Sequence, residues 1–492
     1  MKKIAFALLF LGTFLQAQTN TLLNGDFWKS NPDLAAVKAE IGKGNNPSES
    51  NRGNHDVPSI AINNNADFEV IQYLIDQPGN AIDKNTHDGR QYIHWAANKG
   101  NLELIDYLIR KGSDLNRTDD KGATPLVFAA SNGQVNIDVY RKFFDAGIDP
   151  KQKYAEGANL LLFAIAHDTN LQIANYLTTK GLSIKDVDAH GRTAFDYAAR
   201  NGNLDLLKTL VAKGVKPTHH ALLFAAQGTR AKSNPIEVYQ YLIETMKLDP
   251  KAKGLNGESA LHYLVKKPNQ LAIIDYLVSK GADINAVKQD GNTVLMEAAS
   301  SKNLDVVQSL IAKSAEVNAQ NKKGANALTF AVQSGTPEIV SYLIAKGAKT
   351  NATTKDGNLA FALIQSYKPA NPAEISADFL QKLELLKQAG VDFSVKVQDG
   401  STLLHAAVAK NDLQLLKVLA PFKLAVNAQD ENGLTPLHKA AMMSQDDTIL
   451  QYLLSIGAEK NIQTEFGETA YDLASENEFL KDQNVSVEFL KS

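Results

Sequence analysis

Apolar residues along this chain fall in short stripes at helical spacing, and the stripes come in pairs. Leu102, Leu104, Ile105, Leu108 and Ile109 recur three and four residues apart, which puts their side chains on one helix face. That stripe ends at Lys111-Gly112, a cation and a glycine where a helix closes. After Asp114-Leu115-Asn116, the stretch Asp120-Lys121-Gly122-Ala123-Thr124-Pro125-Leu126 makes a turn and opens the next helix. Glycine permits the left-handed turn, threonine caps the N-terminus and proline suits the first turn. The new helix runs through Phe128, Ala129 and Ala130 to a stop at Asn132-Gly133.

This grammar repeats. Turn glycines stand at Gly89, Gly122, Gly157, Gly191, Gly257, Gly291, Gly324, Gly357, Gly400, Gly433 and Gly467, with gaps of 33, 35, 34, 66, 34, 33, 33, 43, 33 and 34 residues. The gap of 66 is two periods, with His219 to Ala226 filling the place of the missing glycine, and the gap of 43 is one period plus an insertion. A single helix pair cannot bury its apolar faces, so the period predicts a stack of about twelve to fourteen units with stability shared between neighbours. Alanine pairs at Ala96-Ala97, Ala198-Ala199 and Ala298-Ala299 would let first helices approach closely. Residues 18–54 read as a degenerate N-terminal cap with a helix from Asp33 to Ile41. Residues 55–464 read as the repeat array, and residues 465–492 as a C-terminal cap ending in a polar helix. Insertions at about Gly228 to Pro235 and Tyr367 to Ala377 would lengthen the link between the two helices of one unit.

The units resemble the ankyrin repeat. Gly433-Leu434-Thr435-Pro436-Leu437-His438-Lys439-Ala440-Ala441 follows its first-helix motif, and Gly281-Ala282-Asp283-Ile284-Asn285 and Gly347-Ala348-Lys349-Thr350-Asn351 follow its closing motif. The resemblance covers about residues 55 to 475. It implies an all-α ankyrin-repeat solenoid of helix-turn-helix units joined by β-hairpin-like turns, with protein binding as its business.

Composition narrows the picture. An apolar share of 44% and a charged share of 21% are those of a folded chain. The net charge of -3 gives no basic surface for nucleic acid. Cysteine is absent, which excludes disulfides and thiolate metal sites. The first seventeen residues have the layout of a secretory signal: Lys2 and Lys3, an apolar run from Ile4 to Leu15, then Ala17 before Gln18 as the cut site. The run is short for a membrane span and none follows it, so the expectation is an exported monomer of the bacterial envelope, periplasmic or secreted, without a transmembrane segment.

No catalytic or phosphate-binding signature is found, and no cofactor is expected. Of the ten histidines, His94, His262, His405 and His438 share one motif position, for which the resemblance implies a structural role. His219 and His220 are adjacent and read as solvent-facing or capping groups. The acidic turns at Asp83 to Gly89 and Asp430 to Gly433 lack the ligand spacing of a calcium loop.

The family habit of binding through turn tips and the first-helix face nominates Asp88, Arg90, Trp95, Lys99, Lys121, Arg192, Tyr197, Arg200, Tyr263, Asp399, Glu431 and Met442 as partner-binding positions. Asn432 and Met443 extend the same regions. One position draws its own expectation. The residue before the alanine pair is Trp95, Phe128, Phe163, Tyr197, Phe224 and Tyr263 in successive units, then Glu297, with Phe330 resuming the series and Ala406 and Lys439 near the end. Such a ladder is either packing between units or an exposed surface for a peptide or a sugar chain. Tyr197 and Tyr263 are the rungs expected to reach water. The function expected is a scaffold for a protein partner, with carbohydrate or small-ligand binding along the ladder as the alternative.

Overall fold

In the computed structural model, residues 20–229, 233–368 and 374–491 are described. The candidate signal segment lies outside them, as do residues 230–232 and 369–373 of the two insertions. The chain divides into two compact units, Met1–Ala221 and Leu222–Ser492. Within each, paired helices stack as an all-α repeat solenoid, and among the described residues β-pairing is limited to isolated antiparallel bridges.

In the first unit the pairs are Val57–Asn63 with Phe68–Ile75, Tyr92–Lys99 with Leu102–Arg110, Pro125–Ser131 with Ile137–Asp145, Leu160–Ala164 with Gln172–Thr179, and Ala194–Ala199 with Leu204–Ala212. The second unit continues the pattern from Ala260–Leu264 with Leu271–Ser279 to Ala470–Glu476 with Glu478–Asp482. Many helices start on a capping side chain. The Thr124 hydroxyl accepts from Val127 N–H ahead of Pro125, and the Asn101, Asn203 and Asn303 side chains cap second helices. The paired alanines are fully buried, so the Tyr92–Lys99 helix packs directly on Pro125–Ser131, and Val294–Ala299 on Ala327–Ser334.

Turn glycines adopt positive φ because the hairpin tip requires it. Gly433 has φ 73°, and a Cβ there would lie 2.8 Å from the backbone nitrogen of Glu465 in the next tip. This crowding follows from how tips stack. Asp120 N–H donates to the Asp88 carbonyl at 2.9 Å and Ala189 N–H to Glu156 at 2.9 Å. In the second unit Gln289 donates to Asn256, Lys322 to Asp290 and Glu431 to Asp399 in the same way, at 2.8, 3.0 and 2.8 Å. One backbone hydrogen bond thus ties tip to tip at each of these steps, which sets the lateral spacing of the side chains they carry.

The motif histidines are part of this framework. His405 Nδ1 accepts from Thr402 N–H at 3.1 Å, which leaves its proton on Nε2 to donate to the Leu434 carbonyl of the following tip at 2.9 Å. His262 and His438 do the same between Ser259 and Asn292 and between Thr435 and Ile462. Burial pushes all three below the ordinary imidazole range, and His94 down to about 4. Asp196 holds this position in its own unit and bonds Thr193 N–H and both N–H and hydroxyl of Thr218.

The ends are capped. Trp28 is buried and donates from its indole to the Leu22 carbonyl, and the Leu34–Gly42 helix starts on the Asp33 side chain. At the C-terminus, Asn477 donates to the Ala441 and Ser444 carbonyls, while Leu480 and Leu490 are buried. The terminal helix is therefore amphipathic where the sequence reads as polar. His220 also departs from expectation: it opens the His220–Gln227 helix buried, where burial pushes it down to about 4, while His219 is exposed.

Candidate binding face

The residues nominated for binding separate into framework and surface. Arg90 and Arg192, expected as tip cations, are each only 5% exposed. Arg90 Nε donates to Asp119 at 2.9 Å and its Nη1 to Asp88 at 3.1 Å, with the guanidinium 4.2 Å from the Phe128 ring centroid and 5.3 Å from Trp95. Lys121, exposed, closes the network on Asp88 at 2.5 Å. The Lys121 hydrogen bond, with Arg90 and His87 nearby, holds the Asp88 carboxyl down at about 2. Arg192 repeats this design with Asp188 and Glu156, over the Tyr197 ring at 5.8 Å. A planar guanidinium suits the role because it forks between two carboxylates while lying against a ring.

The aromatic ladder is packing in its first unit. Trp95, 6% exposed, donates from its indole to Thr86 Oγ1 at 2.9 Å and meets Phe128 edge-on with centroids 5.6 Å apart. Phe163 meets Tyr197 edge-on at 6.1 Å. Tyr197 and Tyr263 are half-buried, and their hydroxyls donate to Asp188 at 2.9 Å and Glu258 at 3.0 Å, not out to water. Ring edges that face neighbours leave little flat surface for a sugar.

What remains at the surface is the rest of the nominated set. Lys121, Arg200, Asp399, Glu431 and Met442 are exposed, Met442 to 53%, and Lys99 is half-buried at its helix end. Asp88, Arg90, Trp95 and Lys121 form one cluster, Arg192 and Tyr197 a second in the same unit, and Asp399 and Glu431 are joined by the tip bond in the other unit.

Two features of the second unit escape the sequence reading. Glu297, in the place of an aromatic rung, is buried and ion-paired to both Lys266 and Lys288. Burial opposes ionisation, but the hydrogen bonds from the two lysines hold its carboxyl below the ordinary range. These groups line a cavity of about 640 Å³ with Tyr263 and His262. Lys439 is bonded to Asp430 and to Ser401, at 3.0 and 3.1 Å. Among the described residues no three His, Asp or Glu side chains are grouped to hold a metal ion, and no helix is long and apolar enough to cross a membrane.

A family model described as ankyrin repeats (3 copies) matches residues 59–153, 136–221, 265–354 and 374–464, well over half of the chain. The chain is an ankyrin-repeat protein. Its array is similar to that of a palmitoyltransferase of Lachancea kluyveri, 28% identical over 31% of this chain and 21% of the relative. A probable 26S proteasome regulatory subunit of Saccharomyces cerevisiae is 26% identical over 30% of this chain and 65% of its own length. The mouse protein phosphatase 1 regulatory subunit 27 is 35% identical over 15% of this chain and 47% of its own. The chain thus spans between a fifth and just under two thirds of these relatives.

Proposed function

We propose that this ankyrin-repeat protein is a protein-binding scaffold without catalytic activity of its own, exported to the envelope of a bacterium. The observation that carries the binding reading is the division of labour at the tips: buried Arg90 and Arg192 fix the frame, and side chains such as Lys121, Asp399 and Glu431 stand exposed upon it. The names of two relatives, regulatory subunits of a proteasome and of a protein phosphatase, support a role exerted on another protein. The palmitoyltransferase match covers a fifth of that protein, so its activity does not carry over. The edge-on packing of the ladder favours a protein partner over a glycan.

Export rests on residues 1–17 alone, since the three relatives named above are eukaryotic. Its test is N-terminal sequencing of the chain expressed in its native host, after separation of periplasm, medium and cytoplasm. A mature N-terminus at Gln18 outside the cytoplasm is expected. An intact N-terminus in the cytoplasmic fraction would contradict the setting and leave the scaffold to be sought inside the cell.

A further inference from the structure

In the second unit the ladder position, four residues after each first-helix cap, holds a ring, an ion-paired side chain or, in the last repeat, Leu473, but only alanine in two successive repeats. Counting from the caps Asn326, Asn358, Thr402 and Thr435, its occupants are Phe330, Ala362, Ala406 and Lys439. Two alanines thus follow a phenylalanine. The space that a ring would fill is open there. A cavity of about 210 Å³ lies beside Phe330 and Ala362, and one of about 500 Å³ beside Phe361, Ala406 and Lys439. Asp356 and Gln365 line both.

The rim is acidic. Asp356, Asp399 and Glu431 are exposed at the larger cavity, against Lys355, while Lys439 is already neutralised by Asp430. Asp430 is held ionised against its own burial by that lysine and by the Leu434 and Asn432 N–H groups. We propose that the gap at Ala362 and Ala406 is an anchor hole for a partner polypeptide that inserts one large aromatic side chain and sets an adjacent lysine or arginine among these carboxylates. The proposal rests on the scaffold reading and deepens it. The aromatic group completes the ladder from outside, recovering ring contacts of the kind that Trp95 and Phe128 make internally, and desolvated aromatic anchors of this kind dominate protein interfaces. The exposed carboxylates give the neighbouring cation its preference and speed the encounter.

The test is fluorescence anisotropy of the full chain with short fluorescein-labelled glycine–serine peptides carrying a central Arg-Trp, Arg-Ala or Glu-Trp pair. The Arg-Trp peptide is expected to bind saturably, and the Arg-Ala and Glu-Trp peptides about tenfold or more weaker. Ala406→Trp fills the hole from within and should abolish binding while the thermal midpoint is kept, since Phe330 and Tyr263 occupy the same position in sister repeats. Asp399→Asn with Glu431→Gln, both at exposed positions, should weaken the Arg-Trp peptide and flatten its salt dependence. Absence of saturable binding, equal binding of Arg-Ala, or full binding by either variant would overturn the proposal. A partner captured in cells that survives Ala406→Trp would remove the hole and leave the scaffold reading standing.

Discussion

Residues at one position of the repeat can do the same work in several units, and the histidines show how. Each of His262, His405 and His438 accepts at Nδ1 from a backbone N–H and donates from Nε2 to a carbonyl one repeat on, so only the neutral ring fits. Protonation places a second N–H against a donor, in a buried site. A folded pKa below the unfolded value means that the unfolded chain binds more protons in the window between the two. The stability these rings give is therefore present above about 6.5 and lost as pH falls below it, and for His94, which shares the position, the loss runs down to about 4. For His94 alone the shift is worth on the order of 3 kcal/mol. The urea midpoint is expected to drop steadily across that window, and a flat profile would contradict the role. The same scale shows where sequence stops informing. The motif places a histidine three residues after the cap in four of the repeats. It does not reveal whether a cation such as Arg90 faces water, because the partner that buries it, Asp119, lies 29 residues away.

At the scale of the repeat element, the buried guanidinium networks set the tips in place. Asp119 is buried beneath Arg90, so Arg90→Ala leaves a desolvated carboxylate with only the Lys121 and Ala123 N–H groups as partners and should cost about 3 kcal/mol. Lys121→Ala removes an exposed partner of Asp88 and should change stability by less than about 1 kcal/mol. Equilibrium denaturation of the two variants separates the roles, and equal losses would contradict the division into framework and surface. Helix pairs, caps and tips were legible in the sequence because each depends on local chemistry: a glycine at positive φ, a capping side chain, an apolar stripe. The burial of Trp95 was not, since a ring at a repeating position packs or projects according to neighbours in the adjacent repeat. The second alanine rung was hidden for a simpler reason. The cap Asn358 follows its turn glycine directly, one residue earlier than Asn326 follows Gly324, so counting from glycine misplaces Ala362.

For the whole molecule, the repeats supply a frame, and on the proposed reading the exposed tips select the partner. The first unit carries rings in its ladder and buried arginines at its tips, and the second carries Glu297, the alanine gap and the acidic rim around Asp399 and Glu431. The absence of cysteine makes a position-resolved experiment direct, because one introduced thiol is unique. The decisive measurement is photocross-linking in the native host from a single cysteine-borne probe, placed at Glu431 on a tip or, as control, at exposed Lys346 at the end of a second helix. One dominant protein adduct from position 431 and not from position 346 is the predicted result. Adducts of equal pattern from both positions, or none from position 431, would contradict a scaffold that binds its partner through the tips.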